Sequence, residues 1–155
     1  MGFFNFSRKS KKKGNQETPL VLGMILLKKP HALQVEKVVS VLREHWRLAV
    51  DDSEVGVESS VLGINGYTVA IAEIPTAIPG DEVQNAAEYN LLWENGVEES
   101  SAHQSHVILS ILNSGKNAVS ENLLFTKVAA SILLTSESLG VYIGGRSLLL
   151  QKEFY

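Results

Sequence analysis

The sequence predicts an α+β fold: a ferredoxin-like antiparallel sheet in β-α-β-β-α-β order, extended by one further helix and strand. Three observations predict it. Short β-branched runs alternate with segments of helical period. Asn65-Gly66 sits between two such runs as a hairpin signal, because both residues tolerate positive φ. The first helical segment carries a single apolar stripe, which suits one-sided packing on a sheet. At 155 residues the chain is expected to form one domain, able to bury roughly two-thirds of its unfolded surface.

The elements follow in order. "PLVLGMILLKKP", Pro19 to Pro30, is a continuous apolar run bounded by prolines and reads as a buried central strand over about Leu20–Leu27. Pro30 is expected to open a helix. In it Leu33, Val35, Val38, Val39, Leu42, Trp46 and Ala49 recur at helical spacing, with Lys37, Arg43, Glu44 and Arg47 largely opposite. "DDSEVGVESS" is a polar acidic connection with room for a short edge strand. Strands are predicted over about Ser60–Ile64 and Tyr67–Ile74; in the second, Val69, Ile71 and Glu73 alternate with Thr68, Ala70, Ala72 and Ile74. After the loop "PTAIPGD", a helix runs from about Asp81 to Glu94 and stops at Gly96. "SHVILSIL" is a strand. Ser120 is the expected N-cap of the apolar helix "ENLLFTKVAASILLTSE", which requires cover on most of its surface. "GVYIGGRSLLLQKEFY" gives a last strand, with room for a hairpin through Gly144-Gly145. Residues 1–18 read as a disordered aromatic-basic tail and residues 19–155 as a single α+β domain.

Composition narrows the function classes. There is no cysteine, so disulfides, thiolate metal sites and cysteine nucleophiles are excluded. The first residues place aromatics before charges, the reverse of a secretory signal. Phe6 occupies the position where a myristoylation motif wants Ser or Thr. No apolar run approaches bilayer-spanning length, so a cytoplasmic protein is expected. The formal charge of −3 hides an asymmetry. Five basic residues lie at positions 8–13, and from Gly14 onward nine basic residues face 17 acidic ones, a net of −8. Between Asp51 and Glu99 there are 11 acids and no Lys, Arg or His. A body so charged repels phosphate backbones, which argues against nucleic-acid binding by the folded part. It favours a basic partner and speeds encounter with one. The tail, with Phe3, Phe4 and Phe6 ahead of Arg8 to Lys13, has the chemistry to touch anionic lipid or nucleic acid, although loose termini of this kind commonly serve only solubility.

The nearest approach to a chemical motif is "SAHQSHVILSIL". Metal ligation by His103 and His106 requires both rings on one side, but residues three apart on a strand point to opposite faces. A third ligand would have to come from elsewhere, so the expected role is an orienting hydrogen bond at a strand entry. "GVYIGGRS" lacks a phosphate-loop Lys-Ser/Thr, and no G-x-S-x-G elbow occurs. No catalytic residue, metal ligand or cofactor is therefore assigned. Trp46 falls on an apolar stripe. Trp93 lies inside the acidic stretch, and reads either as core or as an interface anchor.

The segments "AAEYNLLW", "HQSHVILSIL" and "LGVYIGG", spread between Pro19 and Gly145, resemble an uncharacterised bacterial domain family. Some of its members resemble immunity proteins encoded beside polymorphic toxins of the Rhs and type VI kinds. The resemblance implies a small non-enzymatic protein and supplies no catalytic residues. Together with the acidic stretch it predicts an immunity or antitoxin-like protein that occludes the basic active-site surface of a cognate toxin domain. The expected partner-binding residues are Asp51, Asp52, Glu54, Glu58, Asp81, Glu82, Trp93, Glu94, Glu98 and Glu99. Two other readings stand beside it: a small metal-assisted enzyme with a pocket near His103 and His106, and a membrane-surface adaptor using the tail.

Overall fold

A computed structural model describes residues 20–56, 59–112 and 115–155. The expected tail and Glu58 lie outside the described residues. Among the described residues seven strands form one antiparallel sheet: β1 (Val21–Leu27), β2 (Val50–Val55), β3 (Ser59–Ile64), β4 (Tyr67–Ile74), β5 (Ser105–Ile111), β6 (Ser138–Ile143) and β7 (Leu148–Gln151). Their spatial order is β2-β3-β4-β5-β1-β6-β7. The same residues form four α-helices: α1 (Val35–Glu44), α2 (Glu82–Glu88), α3 (Gly96–Ser101) and α4 (Ala118–Thr135).

Period-2 alternation sends the two halves of β1 to two different cores. Ile25 and Leu27 point into the main core with Val38 and Leu42 of α1, Leu62, Ile71 and Leu109 of the sheet, and Val128 and Ile132 of α4. Leu26 points the other way and meets Val83, Ala87, Trp93, Tyr142 and Leu149, with Met24 and Ile78 beside them. Fully burying side chains of this size stabilises by about 1.5–3 kcal/mol each, so both layers hold the sheet in place. The α+β class stands, with an open antiparallel sheet. The expected one-sided sandwich does not: α1 and α4 cover one face, and α2 and α3 cover part of the other. The physical reason is β1 itself, whose two inward registers are both apolar.

Local chemistry explains the turns. Asn65 (φ +51°) and Gly66 (φ +80°) make the hairpin between β3 and β4 as expected. The connection "DDSEV" forms the edge strand β2, whose acids face water at little cost. α1 starts at Val35 rather than at Pro30, because His31 takes φ +57° and interrupts the chain there. Asn117, not Ser120, caps α4, its side chain accepting the Ser120 N–H at 3.0 Å. The expected hairpin through Gly144-Gly145 is present and joins β6 to β7. By length and composition alone α4 could cross a bilayer, more than the sequence reading allowed. Its inward residues, Leu124, Phe125, Val128, Ala129, Ile132 and Leu133, are core here.

Candidate functional site

The helix expected over Asp81–Glu94 is broken, and the break builds the site. α2 ends at Glu88. Asn90 then pins the chain: its Nδ2 donates to the Leu149 carbonyl of β7 at 2.6 Å, and its Oδ1 accepts the Leu92 N–H at 3.0 Å. Trp93 turns inward and is 3% exposed, with Nε1–H donating to Glu99 Oε2 at 2.6 Å. Gly96 lets the backbone approach: a Cβ there would stand 3.2 Å from the Trp93 side chain. Tyr89, just before the first anchor, and Leu91 and Leu92, between the two, are left facing outward, at 85%, 98% and 62% exposure. Apolar side chains clustered in water at that level mark interaction surfaces.

These residues border a groove of about 670 Å³ between α2 and β7, lined by Glu82, Asn85, Tyr89, Leu91, Tyr142 and Leu149 among others. Among the described residues no Lys or Arg lines it. At its mouth Tyr142 Oη donates to Glu82 Oε2 at 3.3 Å. Burial raises the Tyr142 phenol above its ordinary pKa, and the Glu82 charge and hydrogen bond add to this, so the phenol stays protonated and donating at neutral pH. Asp81, Glu82, Glu88, Glu94 and Glu98 are exposed on the same α2–α3 layer. Glu82 lines the groove itself, whereas Glu88, Glu94 and Glu98 line a second depression, around Trp93, that shares Asn90 with it.

The other expected partner residues lie elsewhere. Asp51, Asp52 and Glu54 belong to β2, the opposite edge of the sheet. Six strand spacings separate β2 from β7, about 29 Å at ~4.8 Å each. Asp52 is engaged with Arg43 at 2.9 Å. The stretch Asp51–Glu99 is therefore two acidic margins, not one surface. Trp93 is core, which settles its two readings against an exposed anchor. The exposed apolar side chains of this segment are Tyr89, Leu91 and Leu92, which the sequence places inside the expected helix. The available signal was the run Leu91-Leu92-Trp93, since three consecutive apolar residues cannot share one helical face.

His103 and His106 are both buried, and both hold the loop that leads into α2. The His103 Nδ1–H donates to Ser100 O at 2.6 Å, and its Nε2 accepts the Ile78 N–H at 2.9 Å. A backbone N–H can only donate, so Nε2 is unprotonated and the ring is the neutral Nδ1–H tautomer. His106 Nδ1–H donates to Thr76 O at 2.9 Å. Desolvation pushes the His103 pKa down, opposed by the Ser100 carbonyl and aided by His106. Both His103 nitrogens are used, leaving none for a metal. Among the described residues no group of three or more His, Asp or Glu side chains gathers as a metal-binding set. Glu73 is buried, with Oε2 accepting the Leu33 N–H at 3.0 Å.

Fold and site together define an α+β protein with an exposed groove, lined by Tyr89, Leu91 and Leu92, at one edge of its sheet, and carboxylates on the α2–α3 surface beside it. No protein-family model, curated protein or solved structure matches the chain.

Proposed function

We propose that this is a non-enzymatic binding protein of the immunity or antitoxin kind, which captures the basic active-site surface of a cognate toxin domain in the cytoplasm. The observation that carries the reading is the loop Tyr89–Leu92. Three apolar side chains are held in water by Asn90 and Trp93, beside a groove lined by Glu82 and a second depression lined by Glu88, Glu94 and Glu98. Exposure of this kind costs free energy that a partner recovers on binding. The carboxylates of Asp81, Glu82, Glu88, Glu94 and Glu98 raise the encounter rate with a basic surface, while the apolar anchors set the lifetime of the complex.

The test is affinity purification from native cells with the full chain and with the double variant Leu91→Asp/Leu92→Asp as matched bait. Any protein retained by the first bait alone is then purified and its binding and activity measured. The expected partner is basic at its active site and inhibited on binding, with affinity at least tenfold weaker for the variant. Equal capture by both baits, or a captured enzyme that stays fully active when bound, refutes the proposal.

A further inference from the structure

Where Tyr142 meets Glu82, the groove can accept hydrogen bonds but has none to give. Tyr142 is 4% exposed, and its one hydroxyl hydrogen is spent on Glu82 Oε2. Its oxygen is left with lone pairs, which only accept. Glu82 Oε1 accepts from no group among the described residues, and an ionised carboxylate has no hydrogen to offer. Asn90, further along the wall, is already committed to the Leu149 carbonyl and the Leu92 N–H. Beside these acceptors stand the exposed ring of Tyr89 and the aliphatic side chains of Leu91, Leu92 and Leu149. The only charge lining the groove is negative. A group that fits must therefore carry several donors and a positive charge at the end of an apolar stem, and a flat face to lie on Tyr89.

We propose that the groove is the socket for an arginine side chain of the protein partner. A guanidinium presents its N–H donors in a rigid planar fork, so two of them can meet Glu82 Oε1 and Tyr142 Oη together. Its plane stacks on the Tyr89 ring as a cation on a π face. The stem lies along Leu91, Leu92 and Leu149. Lysine meets the same carboxylate less well, because its ammonium is a strongly hydrated point charge with no plane to stack. The groove's volume of about 670 Å³ is in the range of sites that bury a small ligand, so the arginine enters with part of the residue beside it. Glu88, Glu94 and Glu98, in the second depression, attract the surrounding basic surface without contributing to the socket. This inference rests on reading the groove as a docking surface, and names the group that the surface receives.

The probes are three blocked dipeptides, N-acetyl-leucyl-arginine amide and its lysine and citrulline counterparts, titrated into the isotopically labelled full chain. Citrulline keeps the shape of arginine but is neutral and has an acceptor in place of one donor. Saturable amide shifts are expected at Glu82, Tyr89 and Leu149 with the arginine peptide. Affinity should be roughly tenfold weaker for citrulline, the scale of one charge-assisted hydrogen bond, with lysine between the two. Glu82→Gln alters an exposed side chain and leaves an amide oxygen to accept from Tyr142, so the spectrum should stay folded while the arginine peptide binds as weakly as citrulline. Equal affinity for arginine and citrulline, lysine as tight as arginine, or affinity unchanged in Glu82→Gln would each overturn the inference. So would shifts confined to Glu88, Glu94 and Glu98, or no saturable shift at all. A guanidinium preference in a chain with no partner discriminated by Leu91 and Leu92 would count against the proposed function and leave the chemistry of the socket; such a partner without that preference would count against the socket alone.

Discussion

Replacing His103 by Phe tests whether the two histidines act as a structural clamp. An aromatic ring is kept, somewhat larger than imidazole, but both hydrogen bonds go. Ile78 loses the acceptor for its N–H and Ser100 loses a donor to its carbonyl. A buried polar group left unpaired costs about 1–3 kcal/mol. Two such groups at a loop that borders solvent give a loss of about 2–4 kcal/mol, or roughly 5–15 °C in Tm for a chain of this size. The sign of the pH dependence follows from the tautomer. Nε2 must be unprotonated to accept from Ile78, and burial lowers the folded pKa below the ordinary 6.5. The unfolded chain therefore takes up the proton first, and stability falls as pH drops below about 6.5. Thermal unfolding by circular dichroism between pH 7.5 and pH 5 measures both effects. The gap between wild type and His103→Phe should be widest near neutrality and narrow toward pH 5, and His103→Gln, which keeps a donor and an acceptor, should recover part of it. A Tm within about 2 °C of wild type would show that the ring orders nothing, and a gap that does not change with pH would refute the link to protonation of Nε2.

Three further outcomes are expected. Leu91→Asp, at a side chain 98% exposed, should leave Tm nearly unchanged while weakening partner binding at least tenfold by biolayer interferometry. Gly140→Ala should destabilise by about 1–3 kcal/mol, because its Cβ would collide with the Leu150 carbonyl and stand 3.1 Å from Trp93; faster hydrogen exchange at β7 amides reports it. Glu121 accepts the Lys116 and Asn117 N–H groups at 2.8 and 3.1 Å, and backbone donors, Gly115 foremost, hold its pKa below the ordinary 4.5. Its stabilisation is present above that value and is lost as pH falls through the depressed pKa, so the Tm deficit of Glu121→Gln should shrink under acid titration.

The elements legible in the sequence were those decided locally. β1, β4 and β5 are runs of branched aliphatics, and Asn65-Gly66 admits few conformations other than a hairpin turn. α4 declared itself by length and apolar content. What escaped was decided by contacts distant in sequence. The break after Glu88 depends on Leu149, 59 residues from Asn90, offering a carbonyl, and on a second core formed by Leu26 and Tyr142 into which Trp93 inserts. Helical spacing over Asp81–Glu94 contains neither fact. The charge of the site was legible as a count of carboxylates. Its division was not, because only the strand order places Asp51 and Glu54 at one edge and Glu82 and Glu94 near the other.

That division separates two electrostatic roles. Charges about 29 Å apart lie well beyond the ~8 Å Debye length at physiological salt, so they act on a docked partner independently. A basic surface seated on the groove meets the α2–α3 carboxylates at contact distance, where they and the apolar anchors decide how long it stays. Asp51 and Glu54 contribute only to the wider negative field that guides it in. Reversing Asp51 and Glu54 should therefore slow association modestly and reduce its salt dependence, with dissociation unchanged. Reversing Glu94 and Glu98 should alter both rates. Stopped-flow association at two salt concentrations distinguishes the cases. A dissociation rate equally sensitive to both pairs would mean that the partner's footprint crosses the whole sheet, and that the groove is one end of the interface rather than its centre.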